Sequence, residues 1–198
     1  MITNANIVKN QLEKILKIED RSMNRRKFLT RAMAMAPLLL LSSPSALLAS
    51  IEEKTLSFYH THTLKELSVV YFRNGRYIPR ALTKVNNFMK DFRTGEIHPI
   101  DPALLDLLHD LRQTTGSKDF FEVISGYRSP QTNSKLRGRS SGVASHSLHM
   151  SGKAIDIRLP SVNTGHLHQI ALASQRGGVG YYPQSDFIHL DTGRIRAW

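Results

Sequence analysis

The sequence predicts an α+β domain, and three observations carry that prediction. Short strand patterns near residue 56 meet at an Asn-Gly break; a leucine stripe at helical spacing follows a proline-led cap; strand patterns then return toward residue 190. Leu56-Ser57-Phe58-Tyr59 and Leu67-Ser68-Val69-Val70-Tyr71-Phe72 read as strands. Asn74-Gly75, between Phe72-Arg73 and Arg76-Tyr77, is the strongest short hairpin signal and predicts a three-strand meander. Residues 81–92 place Leu82, Val85, Phe88, Met89 and Phe92 at helical spacing.

Asp101-Pro102 then supplies an N-cap and a proline at the first helical position. Leu104, Leu105, Leu107, Leu108 and Leu111 form a buried stripe that ends near Gly116. Phe120 to Ile124 reads as a core strand, and Ser129-Pro130 opens a short helix closing near Gly138. A Ser/Gly-rich loop spans 138–147. Lys153 to Leu159 alternates as a strand, with Ile155, Ile157 and Leu159 on one face and Ala154, Asp156 and Arg158 on the other. A helix over about 165–176 and strands over 178–182 and 187–190 complete the domain, with no internal repeat.

In front of it stands an export leader. Asn24-Arg25-Arg26-Lys27-Phe28-Leu29-Thr30 is a twin-arginine pattern, followed by the apolar run Ala32 to Leu41 and a small-residue exit near Ala49. Pro37 and the shortness of the run argue against a stable membrane span, which wants about 20 apolar residues. Residues 1–22 are polar and helix-prone, and are read as a non-native extension with Met23 as the true start. The expected division is therefore 1–22, a signal peptide over 23–49, and the α+β domain over 50–198.

The chain has 198 residues, enough for one domain with a real core. Its net charge of +11 divides into +5 over residues 1–49, where 8 Lys/Arg meet 3 Asp/Glu, and +6 over the rest. A moderately basic body suits anionic partners such as cell-wall polymer or lipid surface. No basic helix carries base-reading side chains and no aromatic RNA-binding signature occurs, so nucleic acid is the weak choice. There is no cysteine, which removes thiolate nucleophiles, disulfides and Cys-type zinc sites.

The chemistry concentrates in Ser147-Leu148-His149-Met150-Ser151-Gly152-Lys153-Ala154-Ile155-Asp156 and in Asp186-Phe187-Ile188-His189. His149, Asp156 and His189 supply two imidazoles and a carboxylate, the donor set of a zinc ion with a position left for water. Each alone has an ordinary reading as a surface histidine, a strand-edge aspartate or a core histidine. Their joint occurrence is what points to a metal. Asp186, three positions before His189, breaks the strand alternation and so belongs to the preceding turn, as a general base or a turn-forming residue. Arg128, in Ser125-Gly126-Tyr127-Arg128-Ser129, falls at a strand end, where it can grip a carboxylate or oxyanion or satisfy loop carbonyls. His146 lies in loop composition that argues against a ligand. Asp191 either orients a ligand or caps the turn before Gly193.

Taken together, S-x-H-x-x-G-x-A-x-D, D-x-x-H and an upstream S-G-Y-R resemble the LAS-type zinc peptidases, the group of D-Ala-D-Ala carboxypeptidases and murein peptidases. Arg93 to Pro102 and Gly177-Gly178-Val179-Gly180-Tyr181-Tyr182-Pro183 look like the murein endopeptidase K-like branch. The likeness runs from about Thr55 to Trp198. It implies a compact fold with an antiparallel sheet flanked by helices, and a Zn2+ cofactor held by His149, Asp156 and His189. It further implies Asp186 as the acidic base, Arg128 as the substrate-orienting arginine, and hydrolysis of peptidoglycan cross-links between diaminopimelate residues. The resemblance leaves open D,D-carboxypeptidase or dipeptidase action on the same scaffold, and a non-catalytic peptidoglycan-binding module. The protein is expected as a monomer in the periplasm or cell envelope, meeting the membrane only during export.

Overall fold

Residues 52–139 and 142–198 are described by a computed structural model, and they build one eight-stranded sheet with four α-helices. The expectations for residues 1–22 and for the twin-arginine leader lie outside these residues. The meander forms at one edge: β1 (Glu53–His60), β2 (Lys65–Arg73) and β3 (Arg76–Tyr77). Asn74 and Gly75 both take positive φ, 53° and 74°, as the tight turn between right-twisted strands requires.

α1 (Pro79–Phe88) buries Ala81 and Val85 and stops at Met89, short of the expected residue 92. Apolar spacing continues through Phe92, but competing hydrogen bonds to Asp91 end the helix. Asp91 turns its carboxylate onto the backbone N–H of Arg93 at 2.9 Å and of Ser129 at 2.8 Å. Gly95 N–H donates to the Asp91 carbonyl, closing the turn. Asp91 thus anchors the segment that follows Arg128. Burial alone would raise its carboxyl, yet hydrogen bonds from Thr132, Ser129 and Arg93 bring it down to about 2. A depressed carboxyl stabilises the fold above its unfolded value and loses that contribution as pH falls through the folded value. Roughly 2 kcal/mol should therefore disappear between about pH 4 and pH 2. Denaturant melts across that range should show Asp91→Asn weaker at pH 5 but nearly level with the parent at pH 2.

α2 (Pro102–Thr115) follows its cap as expected: Asp101 Oδ1 accepts from Ala103 N–H at 3.0 Å, all five leucines are buried, and Gly116 closes the helix at φ 66°. β4 (Phe121–Ser125) leads to α3 (Pro130–Arg137), capped by the Ser129 hydroxyl. β5 (Ala154–Arg158), α4 (Thr164–Ser174), β6 (Gly178–Tyr182), β7 (Phe187–Asp191) and β8 (Arg196–Ala197) follow.

The strand order is β3-β2-β1-β4-β5-β7-β6-β8. Most neighbours are antiparallel, but β1 pairs with β4, and β6 with β8, in parallel. The β1–β4 pairing is possible because the connection between them holds the rest of the meander and two helices, ample for a crossover. β8 was not foreseen, since a two-residue strand carries no periodicity.

Alternation divides the central strands into two faces. Ile155 and Ile157 of β5 pair with Leu190 and Ile188 of β7, and these four side chains enter the apolar core with Leu104, Leu108, Leu111 and Leu167 of the helices. The intervening residues, Asp156 opposite His189 and Ala154 opposite Asp191, point to the other face. That second face carries the site.

Candidate metal centre

His149 sits on a 3-10 turn, Leu148–Ser151, directly after the stretch read as loop. Gly152 ends the turn at φ 66° and ψ 19°, and Lys153 N–H returns to the Leu148 carbonyl at 3.0 Å. Gly152 N–H and its neighbours therefore swing the chain from the turn directly into β5. Asp156 lies two residues inside that strand, and His189 occupies the middle of β7 directly opposite.

These three side chains converge. His149 Nε2 is 3.2 Å from Asp156 Oδ1 and 3.2 Å from His189 Nδ1, and His189 Nδ1 is 2.9 Å from the same Oδ1. Three donors at about 2.0–2.1 Å from one ion, at tetrahedral angles, stand about 3.3 Å apart. The observed spacings approach that value. The unused atoms are also committed in the sense a metal needs. His149 Nδ1–H donates to the Gly126 carbonyl at 2.7 Å, leaving Nε2 as a lone-pair donor. His189 Nε2–H donates to Asp191 Oδ2 at 3.0 Å, leaving Nδ1. Asp156 Oδ2 accepts from Arg128 Nη2, leaving Oδ1.

The electrostatics fit the same arrangement. Burial pushes His149 down, toward the neutral form that binds metal, against the pull of Asp156. Burial would raise Asp156, but His149, His189 and Arg128 hold it well below the usual carboxylate range. Burial likewise works to lower His189, and the Asp156 and Asp191 carboxylates overrule it and raise the ring. A cation between the three donors would take the place of that proton. Two nitrogens and one hard oxygen, all within 4.8 Å of one another and buried, fit a divalent transition metal.

The cluster opens onto a cavity of about 380 Å³. Arg128 reaches it beside Asp156, with Nε bonded to Ser125 Oγ at 2.9 Å. Tyr182, Phe187 and Trp198 supply an aromatic wall, and His146, outside the donor cluster, is exposed on the opposite loop. Asp186 ends a second 3-10 turn, Pro183–Ser185, as the broken alternation requires. Its carboxylate accepts from Thr164 Oγ1 and faces Arg158 Nη1 at 3.6 Å; the side chain is 63% exposed. The cavity lining includes residues on both sides of Asp186, Tyr182 and Phe187, but not Asp186 itself.

Asp191 fills both roles that the sequence left open, bonding His189 and also accepting from Gly193 N–H at 2.9 Å. Arg196 and Trp198 at the cavity escaped the sequence reading. The available signal was Gly178-x-Gly180, two side-chain-free positions on the site face of β6.

Comparison with known proteins places this geometry in a family. The model for the family described as peptidoglycan L,D-endopeptidase MepK matches residues 48–198, three-quarters of the chain. The chain belongs to that family. Peptidoglycan L,D-endopeptidase MepK of Escherichia coli K12 is 38% identical over 176 residues, covering 88% of this chain and 97% of that protein. The protein of the same name from Shigella flexneri gives the same figures. "Probable peptidoglycan L,D-endopeptidase MepK" of Haemophilus influenzae is 37% identical over 177 residues, covering 88% of this chain and 95% of that one. The MepK family match spans every element that builds the donor cluster, from β4 to β8.

Proposed function

We propose that the protein is a zinc-dependent endopeptidase that hydrolyses peptide cross-links of peptidoglycan, with L,D specificity between diaminopimelate residues. The single observation that carries this reading is the convergence of His149, Asp156 and His189 at one point on a cavity floor, in a chain of the MepK family. In this reading the three residues hold Zn2+. Zinc there would supply a Lewis acid able to polarise a carbonyl and to lower the pKa of water to about 7. Arg128, half-buried beside Asp156 and open to the cavity, meets a substrate carboxylate or the oxyanion that forms during attack. Tyr182, Phe187 and Trp198 on the cavity wall offer the peptide an apolar contact surface.

Asp186 takes the proton of the attacking water and returns it to the leaving amine. For this its exposed carboxylate must leave Thr164 and Arg158 and turn toward the cavity, whose lining includes its neighbour Phe187. Asp186→Asn should keep the metal and lose about 10²-fold or more in turnover. Full turnover in that variant would transfer the role elsewhere, with His146 on the cavity wall the next residue to replace.

A peptidoglycan substrate places the protein in the periplasm or cell envelope, and residues 23–49 would direct it there by the twin-arginine route, as a monomer. The deciding experiment digests purified muropeptides that carry L,D or D,D cross-links with zinc-loaded protein. Release of monomers from the L,D-linked species alone is expected. Trimming of D-Ala from uncrosslinked stems, with cross-links left intact, would replace this reading by a carboxypeptidase one.

A further inference from the structure

The last strand and the loop before it do something the donor cluster alone does not explain. Asp191 is fully buried, at 0% exposure, yet no solvent-facing role accounts for a carboxylate there. Its oxygens collect hydrogen bonds from His189 Nε2 at 3.0 Å, Gly178 N at 3.1 Å, Gly193 N at 2.9 Å, and Arg196 through Nη1 at 3.0 Å and Nη2 at 2.6 Å. The guanidinium is thus a two-pronged clamp on the carboxylate that holds the third imidazole. Arg196 in turn lies over the Trp198 ring at 4.8 Å, and that ring packs against His189 at 5.1 Å. Trp198 is fixed by Nε1–H to the Tyr182 hydroxyl at 2.9 Å and by backbone bonds to Val179 and Tyr181.

An independent observation shows that β6 is shaped to receive this assembly. A Cβ on Gly178 would lie 2.5 Å from Asp191 Oδ2 and 2.4 Å from Arg196 Nη1. One on Gly180 would lie 2.7 Å from the Trp198 indole. Real Cβ atoms do not approach that closely, so side chains at these two positions would displace Asp191 and Arg196 at one and the Trp198 ring at the other.

We propose that Arg196 and Trp198, acting through Asp191, are positioning residues for His189: they hold its ring with Nε2 protonated and Nδ1 directed at the metal point. The inference rests on the metal-binding reading above and needs no assumption about the substrate. It assigns a role to the strap of residues 192–198 that metal-ligand spacing does not reveal. Outer partners of this kind typically contribute about 10–100-fold in metal affinity.

The test is zinc affinity by chelator competition, paired with thermal melts of the metal-free proteins. Asp191→Asn alters a buried network and can fail to fold, so Arg196→Gln is the main variant; its side chain is 31% exposed and its strand is an edge. Arg196→Gln should bind zinc about 10–100-fold more weakly while its metal-free melt stays close to the parent. Nitrogen-15 spectra of the zinc-loaded parent should show His189 coordinated through Nδ1 and protonated at Nε2. Unchanged zinc affinity in Arg196→Gln overturns the proposal, as does a collapse of its metal-free melt that accounts for the lost binding. So does a parent spectrum with His189 coordinated through Nε2. A parent protein that takes up no zinc defeats the metal-site reading itself, a result none of the variant outcomes can imitate.

Discussion

His149→Ala is expected to remove the metal and, with it, cleavage. The side chain is 1% exposed, and its two nitrogens serve two tasks, one bonded to Gly126 and one aimed at Asp156 and His189. Alanine leaves two donors where a stable zinc site needs at least three. A metal ion held there would contribute several kcal/mol to stabilising the transition state, so its loss should lower cleavage by about 10³-fold or more. Elemental analysis of purified protein and muropeptide digestion measure the two halves separately. His166→Ala, on the exposed face of α4, should change neither. A His149→Ala protein with a full equivalent of zinc would remove this residue from the ligand set.

Gly152→Ala should be nearly as damaging by a different route. Gly152 has φ 66°, a conformation that costs an L-residue about 1–2 kcal/mol. A Cβ there would also lie 2.0 Å from the Pro99 carbonyl oxygen. Neither side can give easily, since Asp101 N–H donates to the Gly152 carbonyl at 2.9 Å and Asp101 caps α2. Overpacking of this kind adds about 1–3 kcal/mol, for a total of about 3 kcal/mol, a large fraction of an ordinary domain's stability. The relaxation would also push the 148–151 turn and move His149 away from β5. Urea unfolding should show the loss, and zinc affinity should fall in the folded fraction. A variant that unfolds with the parent would mean that Pro99 and the turn are not in contact in solution.

Much of the fold was legible because its signals are local. Asn74-Gly75 announces a hairpin, and Asp101-Pro102 with five leucines announces α2. The cluster was legible for another reason: donor chemistry is written in residue types, and alternation places Asp156 on the face away from Ile155 and Ile157. What escaped depends on partners far along the chain. The end of α1 is set by Asp91 bonding Ser129, and the parallel pairing of Phe58 with Phe121 has no local trace. Arg196 and Trp198 join the site only because β8 folds back beside β6. Asp186 shows the limit most directly. Its place in the turn follows from spacing, whereas its engagement with Thr164 and Arg158 depends on how α4 and β5 meet.

β1 comes first among the described strands, yet it lies inside the sheet, hydrogen-bonded to β2 on one flank and β4 on the other. Maturation that trimmed the chain beyond Glu53 would strip an interior strand, leaving the β4 edge bare and inviting pairing between molecules. Proteolytic removal of any leader therefore has a hard boundary, and a scissile bond downstream of it would yield aggregate in place of enzyme.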